Sequence, residues 1–206
     1  MTTFPPIQFP NEKVSYTAPT WDQMNQLAFE LAKQMNQDGQ KFDRIVTLAK
    51  GGWPLTRSLV DFLEIEKVAS IGVKFYQGIN QRLDKPEIYQ DIPVSIKDET
   101  ILLFDDVADT GLSLEFTLKY LLTRGAKEVK TATLFYKPHS QLKPDYYGAE
   151  TDTWIIFPYD LVEMIRILGK KWQQAGLNIS KIGQRFKEMG FDSNWVDYYL
   201  NKFYQL

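Results

Sequence analysis

The stretch ILLFDDVADTGLSL, residues 101–114, places two adjacent aspartates directly after four large apolar residues. A third aspartate follows, and behind it comes the run Thr-Gly-Leu-Ser. Ionised carboxylates are rarely buried without partners, so a buried strand does not ordinarily end in three of them. The pattern therefore predicts a strand over residues 101–104, a functional turn, and a helix that begins near Leu112.

Apolar strand segments alternate with amphipathic helix segments along most of the chain. This alternation indicates βαβ units, and hence an α/β, Rossmann-like fold with a mostly parallel sheet and flanking helices. Ligands of such sheets bind beyond the carboxyl ends of the strands. The aspartates that follow residues 101–104 are therefore expected at a ligand site.

The chain divides into three parts by composition. Residues 1–19 are rich in proline and are expected to form an extended lead-in. Residues 20–161 hold the alternating strands and helices. Residues 162–206 predict a helical C-terminal extension with breaks at Gly176 and Gly190.

Two segments inside the α/β part lack any period. Residues 77–98 are polar and contain two prolines, and residues 139–152 are similar. Such segments predict irregular loops, and the first is long enough to be a functional lid that excludes water from a reaction.

Two helices have clear starting signals. The first begins after Thr20, a suitable N-cap, and Pro54 falls in the first turn of the second, where a missing N–H costs least. The apolar residues of the first helix form one predicted stripe: Trp21, Met24, Leu27, Ala28, Leu31 and Met35.

Composition excludes several classes of protein. The chain has no cysteine and one histidine, so disulfide scaffolds, thiolate catalysis and His-rich metal centres do not fit. The histidine, His139, is expected to be an exposed loop residue without a role. A net charge of -2 provides no basic field for nucleic acid or membranes, and no apolar run is long enough for a membrane span. A cytoplasmic location is expected.

The turn after residues 101–104 suits a sugar phosphate. Backbone N–H groups and hydroxyls at a helix N-terminus bind phosphate, and a glycine permits close approach. Carboxylates repel phosphate, so they must face hydroxyls, a divalent cation or a proton to be abstracted. A Mg²⁺ site of a phosphoryl-transfer fold, or a plain helix cap, stays open as an alternative. The turn is not a P-loop, because no Gly-Lys-Ser/Thr follows it.

Residues 105–113, DDVADTGLS, resemble the phosphoribosyl pyrophosphate (PRPP) signature of type I phosphoribosyltransferases. Further similarities point to the 6-oxopurine branch, and most to bacterial xanthine-guanine enzymes. They are Thr-Trp-Asp at residues 20–22, Lys-Gly-Gly at residues 50–52, Lys-Pro at residues 137–138, and WIIFPYD at residues 154–160. The resemblance implies that residues 20–161 are a phosphoribosyltransferase domain.

The resemblance also implies roles in binding PRPP. The acidic pair would accept hydrogen bonds from the ribose hydroxyls, the turn would hold the 5′-phosphate, and the Lys-Gly-Gly loop would bind pyrophosphate. In the family, that loop can have a non-proline cis peptide before its first glycine. The implied PRPP-binding residues are Lys50, Gly51, Asp105, Asp106, Asp109, Thr110, Gly111, Leu112 and Ser113.

The implied base site lies further along the chain. Lys137 would donate to the purine O6, Trp154 would stack on the base, and Ile155 and Asp160 would contact its edge. Core packing is the alternative for Trp154. Asp109 is the implied general base for the purine N7 proton, since a free aspartate is ionised at neutral pH.

Mg²⁺ is the implied cofactor, held mainly by PRPP and indirectly by Asp105 and Asp106, with Asp160 as a further ligand. Ile156 and Phe157 differ from the more polar residues of the bacterial xanthine-guanine enzymes, which leaves the preferred purine open.

The implied activity is a Mg²⁺-dependent purine phosphoribosyltransferase of purine salvage. It would transfer the 5-phosphoribosyl group of PRPP to N9 of guanine, xanthine or hypoxanthine and release pyrophosphate. A homo-oligomer, dimer or tetramer, is expected. Two alternatives stay open: a phosphoribosyltransferase for another base, and a PRPP-binding regulator of the same fold that acts on nucleic acid. A nucleic-acid partner is not favoured, because the excess of basic residues in 162–206 is small.

Overall fold

A computed structural model of the chain describes residues 3–76 and 85–204. The chain divides into two compact units. One is continuous, Met24–Asp152, and the other combines Met1–Gln23 with Thr153–Leu206. The elements, in chain order, are β1 (Tyr16–Thr17), α1 (Trp21–Gln37), β2 (Arg44–Ala49), α2 (Trp53–Leu63), β3 (Val68–Tyr76), β4 (Lys85–Gln90), β5 (Thr100–Ala108), α3 (Leu112–Thr123), β6 (Glu128–Tyr136), β7 (Tyr146–Glu150), β8 (Trp154–Ile155), a short 3-10 helix (Pro158–Asp160), α4 (Leu161–Gln174), α5 (Ile179–Glu188) and α6 (Ser193–Tyr204).

The continuous unit is built on a six-stranded sheet in the order β4-β3-β2-β5-β6-β7. All neighbouring pairs are parallel except β3 and β4. Strand β2 is buried over nearly its whole length, and β5 and β6 are buried over more than half of theirs, as expected where helices cover both faces. The α/β fold with a mostly parallel sheet is therefore confirmed.

The prediction of an irregular loop over residues 77–98 is partly wrong, and its role as a lid stays a prediction. Residues 77–84 lie outside the described residues, but Lys85–Gln90 forms β4, antiparallel to β3. Ile92 and Ile96 are buried in the core of the sheet. Pro86 argued against a strand, but β4 lies at the edge of the sheet, where a missing N–H is tolerated.

The prediction of an irregular segment over residues 139–152 is also partly wrong. Its second half contains β7, which pairs in parallel with β6 at the other edge. Gly148 lies in β7, where a Cβ would come 2.8 Å from the carbonyl oxygen of Leu134. A glycine inside a short polar strand obscures the alternation that would have predicted it.

The discontinuous unit joins the predicted lead-in to the predicted extension. β1 and β8 form a two-stranded parallel sheet, and the Thr17 and Thr153 hydroxyls are hydrogen-bonded at 2.6 Å. The apolar run at residues 153–157 predicts a five-residue strand, whereas β8 is only Trp154–Ile155 and belongs to this separate sheet. The predicted helix breaks at Gly176 and Gly190 are confirmed, with φ angles of +88° and +90°.

The core of this unit is aromatic. Trp172 is fully buried among Phe9, Tyr16 and Phe186, with ring centroids 5.3–6.1 Å away. These rings come from both parts of the chain, so the lead-in and the extension share one core. The division of the chain at residues 19/20 and 161/162 stays a prediction.

Helix α1 begins where the N-cap residue Thr20 predicted. The Thr20 hydroxyl accepts the Gln23 N–H at 3.2 Å, and the Gln23 side chain accepts the Thr20 N–H at 2.8 Å, a reciprocal cap. The apolar stripe is confirmed except for Trp21, which is 52% exposed. Trp21 is the first residue of α1, and the buried residues of the helix begin at Met24. Pro54 lies in the first turn of α2 as predicted. Among the described residues, no helix has the length and apolar character to cross a membrane.

Candidate functional site

Strand β5 is longer than its apolar run predicts. The strand continues to Ala108, so Asp105 and Asp106 lie within it and not in a loop. Asp105 still pairs with Thr133 of β6 in register. The acidic pair is therefore fixed by the sheet itself, with both residues only partly exposed.

Asp105 is in an unfavourable electrostatic environment. Burial, and then the adjacent charge of Asp106, raise the pKa of Asp105 well above its ordinary value. Hydrogen bonds from the N–H groups of Asp106, at 2.9 Å, and of Gly52 oppose this shift. Two crowded carboxylates of this kind are suited to a partner that provides hydroxyl donors or positive charge.

The loop after β2 comes against the acidic pair. A Cβ on Gly51 would overlap the Asp106 carboxylate, and one on Gly52 would lie 2.8 Å from the Phe104 carbonyl oxygen. The Ala49–Lys50 peptide is cis, one bond earlier than the resemblance indicates. Gly52 then caps α2, so its N-terminal N–H groups lie beside this loop.

The turn between β5 and α3 has the predicted form. Gly111 has a φ of +78° and is the N-cap of α3, which begins at Leu112 as expected. Asp109 and Thr110 are exposed. The first N–H groups of α3 are thus presented beside the Thr110 and Ser113 side chains, an arrangement that binds anions.

Lys137 follows β6, the neighbour of β5. Its N–H donates to the Ala108 carbonyl at 3.1 Å, which places it beside the end of β5. Burial lowers the pKa of Lys137, while the carboxylates of Asp109 and Asp152 oppose this effect. The structure thus brings together Lys137, Asp109, the acidic pair and the Lys50–Gly52 loop at the carboxyl ends of the neighbouring strands β2, β5 and β6.

The chain was then compared with known proteins. The model of the phosphoribosyl transferase domain family matches residues 20–163. The chain belongs to this family. The match begins and ends close to the predicted domain, and it includes every residue assigned to the predicted site.

Several relatives of the family are similar over most of the chain. The xanthine-guanine phosphoribosyltransferase of Idiomarina loihiensis is 28% identical over 144 residues, which cover 69% of this chain and 85% of that protein. The hypoxanthine-guanine phosphoribosyltransferase of Bacillus subtilis is 25% identical over 137 residues, covering 64% and 76%. A solved purine phosphoribosyltransferase from Pyrococcus horikoshii is 36% identical with a TM-score of 0.64, covering 70% of this chain and 93% of that chain.

The remaining predicted site residues of this phosphoribosyltransferase domain lie in the discontinuous unit. Trp154 and Ile155 form β8, and Asp160 ends the 3-10 helix. Trp154 is 45% exposed, so it is not a core residue. Ile156 and Phe157 are buried. These two residues, which are less polar than those of the xanthine-guanine enzymes, therefore contribute to packing.

The acidic pair is compatible with Mg²⁺ held mainly by a substrate. Among the described residues, no group of three or more acidic, His or Cys side chains could form a metal cage. Two adjacent carboxylates, of which Asp105 has a raised pKa, suit an indirect role, in which the metal keeps its waters and phosphate ligands. A role for Asp160 stays a prediction.

Two contacts beside the predicted site were not anticipated from the sequence. Gly52 approaches both Asp105 and the backbone of β5, and the glycine pair after β2 was the signal for it. His139 lies beside Asp109, with 3.4 Å between His139 Nε2 and Asp109 Oδ1. A lone histidine in a polar loop gave no signal for that contact.

Proposed function

We propose that the protein is a purine salvage enzyme that transfers the 5-phosphoribosyl group of PRPP to N9 of a 6-oxopurine and releases pyrophosphate. The observation that carries the proposal is the end of β5, where the pair Asp105 and Asp106 leads directly into the N-terminus of α3. Hydroxyl acceptors beside an anion site are complementary to ribose 5-phosphate. The named relatives are purine enzymes, which supports the same acceptor.

PRPP would be bound in three parts. The 5′-phosphate would lie on the N–H groups of residues 110–113, the ribose hydroxyls on the acidic pair, and the pyrophosphate on the Lys50–Gly52 loop. Mg²⁺ bound to the pyrophosphate would neutralise charge on the leaving group, with Asp105 and Asp106 orienting it indirectly. The positions of Gly51 and Gly52 against β5 support this arrangement.

Asp109 would accept the proton that the purine loses as its N9 bonds to the ribose carbon. Its exposure at the turn leaves it accessible to a ligand. Lys137 would donate to the purine O6. Because burial disfavours its charge, an oxygen acceptor would recover part of the solvation that the ammonium has lost. Trp154 would stack on the purine, and Ile155 and Asp160 would contact its edge.

Two alternatives are not favoured. A PRPP-binding regulator needs no purine site, and the relatives named above are enzymes. An acceptor such as adenine or a pyrimidine offers no O6 to Lys137. The cytoplasmic location and the homo-oligomeric state stay predictions from the sequence.

The proposal is tested by pyrophosphate release from PRPP and Mg²⁺ with hypoxanthine, guanine, xanthine, adenine or uracil as acceptor. We expect turnover with at least one oxopurine, and a fall of about 10²–10⁴-fold in kcat for Asp109→Asn. Glu66→Gln, a change at an exposed carboxylate that follows α2, is the control and should match the wild type.

Either of two results would contradict the proposal. Turnover with adenine or uracil alone would make the protein a phosphoribosyltransferase for another base. PRPP binding without turnover of any base would favour the regulator.

A further inference from the structure

His139 is held in a tight turn that follows Lys137. The Ser140 N–H donates to the Lys137 carbonyl at 2.9 Å, which closes a four-residue turn. Pro138 is its second residue, where the fixed φ of proline favours the turn. His139 is therefore the third residue of a hydrogen-bonded turn and not part of an irregular loop.

The turn is attached to the loop that carries Asp109. The Gln141 N–H donates to the Thr110 carbonyl at 2.9 Å. A Cβ on Gly111 would lie 2.8 Å from the Leu142 N and would overlap the Ser140 hydroxyl. The two loops therefore pack backbone against backbone, which fixes the relative positions of their main chains.

This packing brings the imidazole of His139 to Asp109. Nε2 of His139 lies 3.4 Å from Oδ1 of Asp109, and the two side chains are 59% and 62% exposed. The other charged groups that act here are Lys137 and Asp152. Catalytic hydrogen bonds are often long before the substrate binds and tighten in the complex.

We propose that His139 is a positioning residue for Asp109. Its Nε2–H donates to Oδ1, which holds the carboxylate in one rotamer and leaves Oδ2 directed at the purine N–H. The inference rests on the proposed function, in which Asp109 accepts that proton. A base that is oriented by a third group is a general feature of activated catalytic sites.

Activity measurements on His139→Ala, His139→Gln and Asp109→Asn test the role. We expect His139→Ala to lower kcat about 10-fold with KM for PRPP unchanged, because orientation of the base is lost and PRPP binding is not. His139→Gln retains an N–H donor and should recover most of that loss. In the Asp109→Asn background, His139→Ala should have no further effect, whereas a merely structural role would give additive losses.

Gln141→Ala is the control, since its exposed side chain changes while its backbone bond is retained. Its kcat should equal that of the wild type. Unfolding temperatures of all variants show whether each one is folded.

A spectroscopic measurement tests the contact without turnover. The chain has one histidine, so its NMR spectrum contains a single set of imidazole ring resonances. Asp109→Asn should shift these resonances, and Glu66→Gln should not.

Wild-type turnover with an unaffected His139→Ala variant would overturn the inference and leave the proposed function standing. Unshifted ring resonances in Asp109→Asn would overturn it as well. If the wild type transfers the phosphoribosyl group to no purine, the proposed function is wrong, and the positioning role that rests on it is wrong as well.

Discussion

The backbone of Gly51 lies so close to the carboxylate of Asp106 that a methyl group between them would overlap it. Gly51 follows β2 and Asp106 lies within β5, two neighbouring parallel strands. The contact joins the predicted pyrophosphate loop to the predicted ribose-binding pair. Any side chain at residue 51 would therefore displace the carboxylate that we propose binds the ribose hydroxyls.

We expect Gly51→Ala to weaken PRPP binding and to cost about 1–3 kcal/mol of stability, the usual range for overpacking. Titration calorimetry with PRPP and Mg²⁺, together with denaturant unfolding, measures both effects. Gly183→Ala is the control, because a Cβ there would lie 3.1 Å from the end of the Leu200 side chain and at ordinary contact distance from Val196 and Asp197, far along the chain from the predicted PRPP site. Unchanged PRPP affinity in Gly51→Ala would show that Asp106 is not needed where it now lies.

Asp105→Asn should raise the unfolding temperature of the ligand-free protein at neutral pH while weakening PRPP binding. Burial and then Asp106 raise the pKa of Asp105, so the fold disfavours the ionised form. The stability that such a group contributes is complete below the unfolded pKa and is lost as the pH rises through the folded pKa. Asparagine avoids that loss.

Thermal unfolding without Mg²⁺ over a range of pH checks this sign. The difference between Asp105→Asn and the wild type should shrink as the pH falls toward about 4, near the value of an unfolded aspartate. A variant that is less stable than the wild type at neutral pH would show that the charge of Asp105 supports the fold.

Trp154→Ala should weaken purine binding without unfolding the protein. Stacking of a base on an aromatic ring is worth about 1–3 kcal/mol, which corresponds to roughly 5- to 150-fold in KM for the purine. Because Trp154 is 45% exposed, its loss leaves no large cavity. The control is Trp195→Ala, at 60% exposure on α6. A fall in stability with KM unchanged would support packing in place of stacking.

Glu12→Gln should destabilise the discontinuous unit. The buried carboxylate accepts from Lys171 Nζ at 2.6 Å and from the Tyr16 hydroxyl at 3.2 Å, and Arg185 lies 3.4 Å away. Burial would raise the pKa of Glu12, but the hydrogen bond and charge of Lys171, with the Tyr16 bond, lower it overall. Loss of a partner from such a buried group typically costs about 1–3 kcal/mol.

The pH dependence of this effect has a definite sign. A lowered carboxylate pKa contributes stability above the unfolded value, and that stability is lost as the pH falls through the folded pKa. Denaturant unfolding of Glu12→Gln and wild type should therefore differ at neutral pH and converge in acid. Glu163→Gln, at an exposed carboxylate of α4, should behave as the wild type. A difference that persists in acid would mean that shape, and not charge, is responsible.

The start of α3 was predicted correctly from local signals, and so was the apolar part of β5, although that strand continues to Ala108. The apolar run before Asp105 favours a buried strand, and the glycine after Thr110 favours a turn that starts a helix. Because both preferences are local, the candidate site between β5 and α3 could be predicted from the sequence. The helix breaks at Gly176 and Gly190 follow equally from local backbone preference.

The elements that were missed depend on partners far away in the chain. β1 and β8 are two residues each and exist because they pair with one another. Edge strands β4 and β7 contain Pro86 and Gly148, which argue against strands when position in the sheet is unknown. The contact of His139 with Asp109 depends on two loops packing together, which no local pattern of residues encodes.

The joining of the two ends of the chain in one unit implies an order of assembly. Thr17 and Thr153 are hydrogen-bonded but 136 residues apart, so β1, although synthesised early, cannot pair until that whole intervening segment has been synthesised. The continuous unit needs no such return and can complete its sheet first. During synthesis, the nascent protein would therefore fold the residues proposed to bind PRPP before Trp154 gains its strand partner, and the proposed stacking site for the purine would form later.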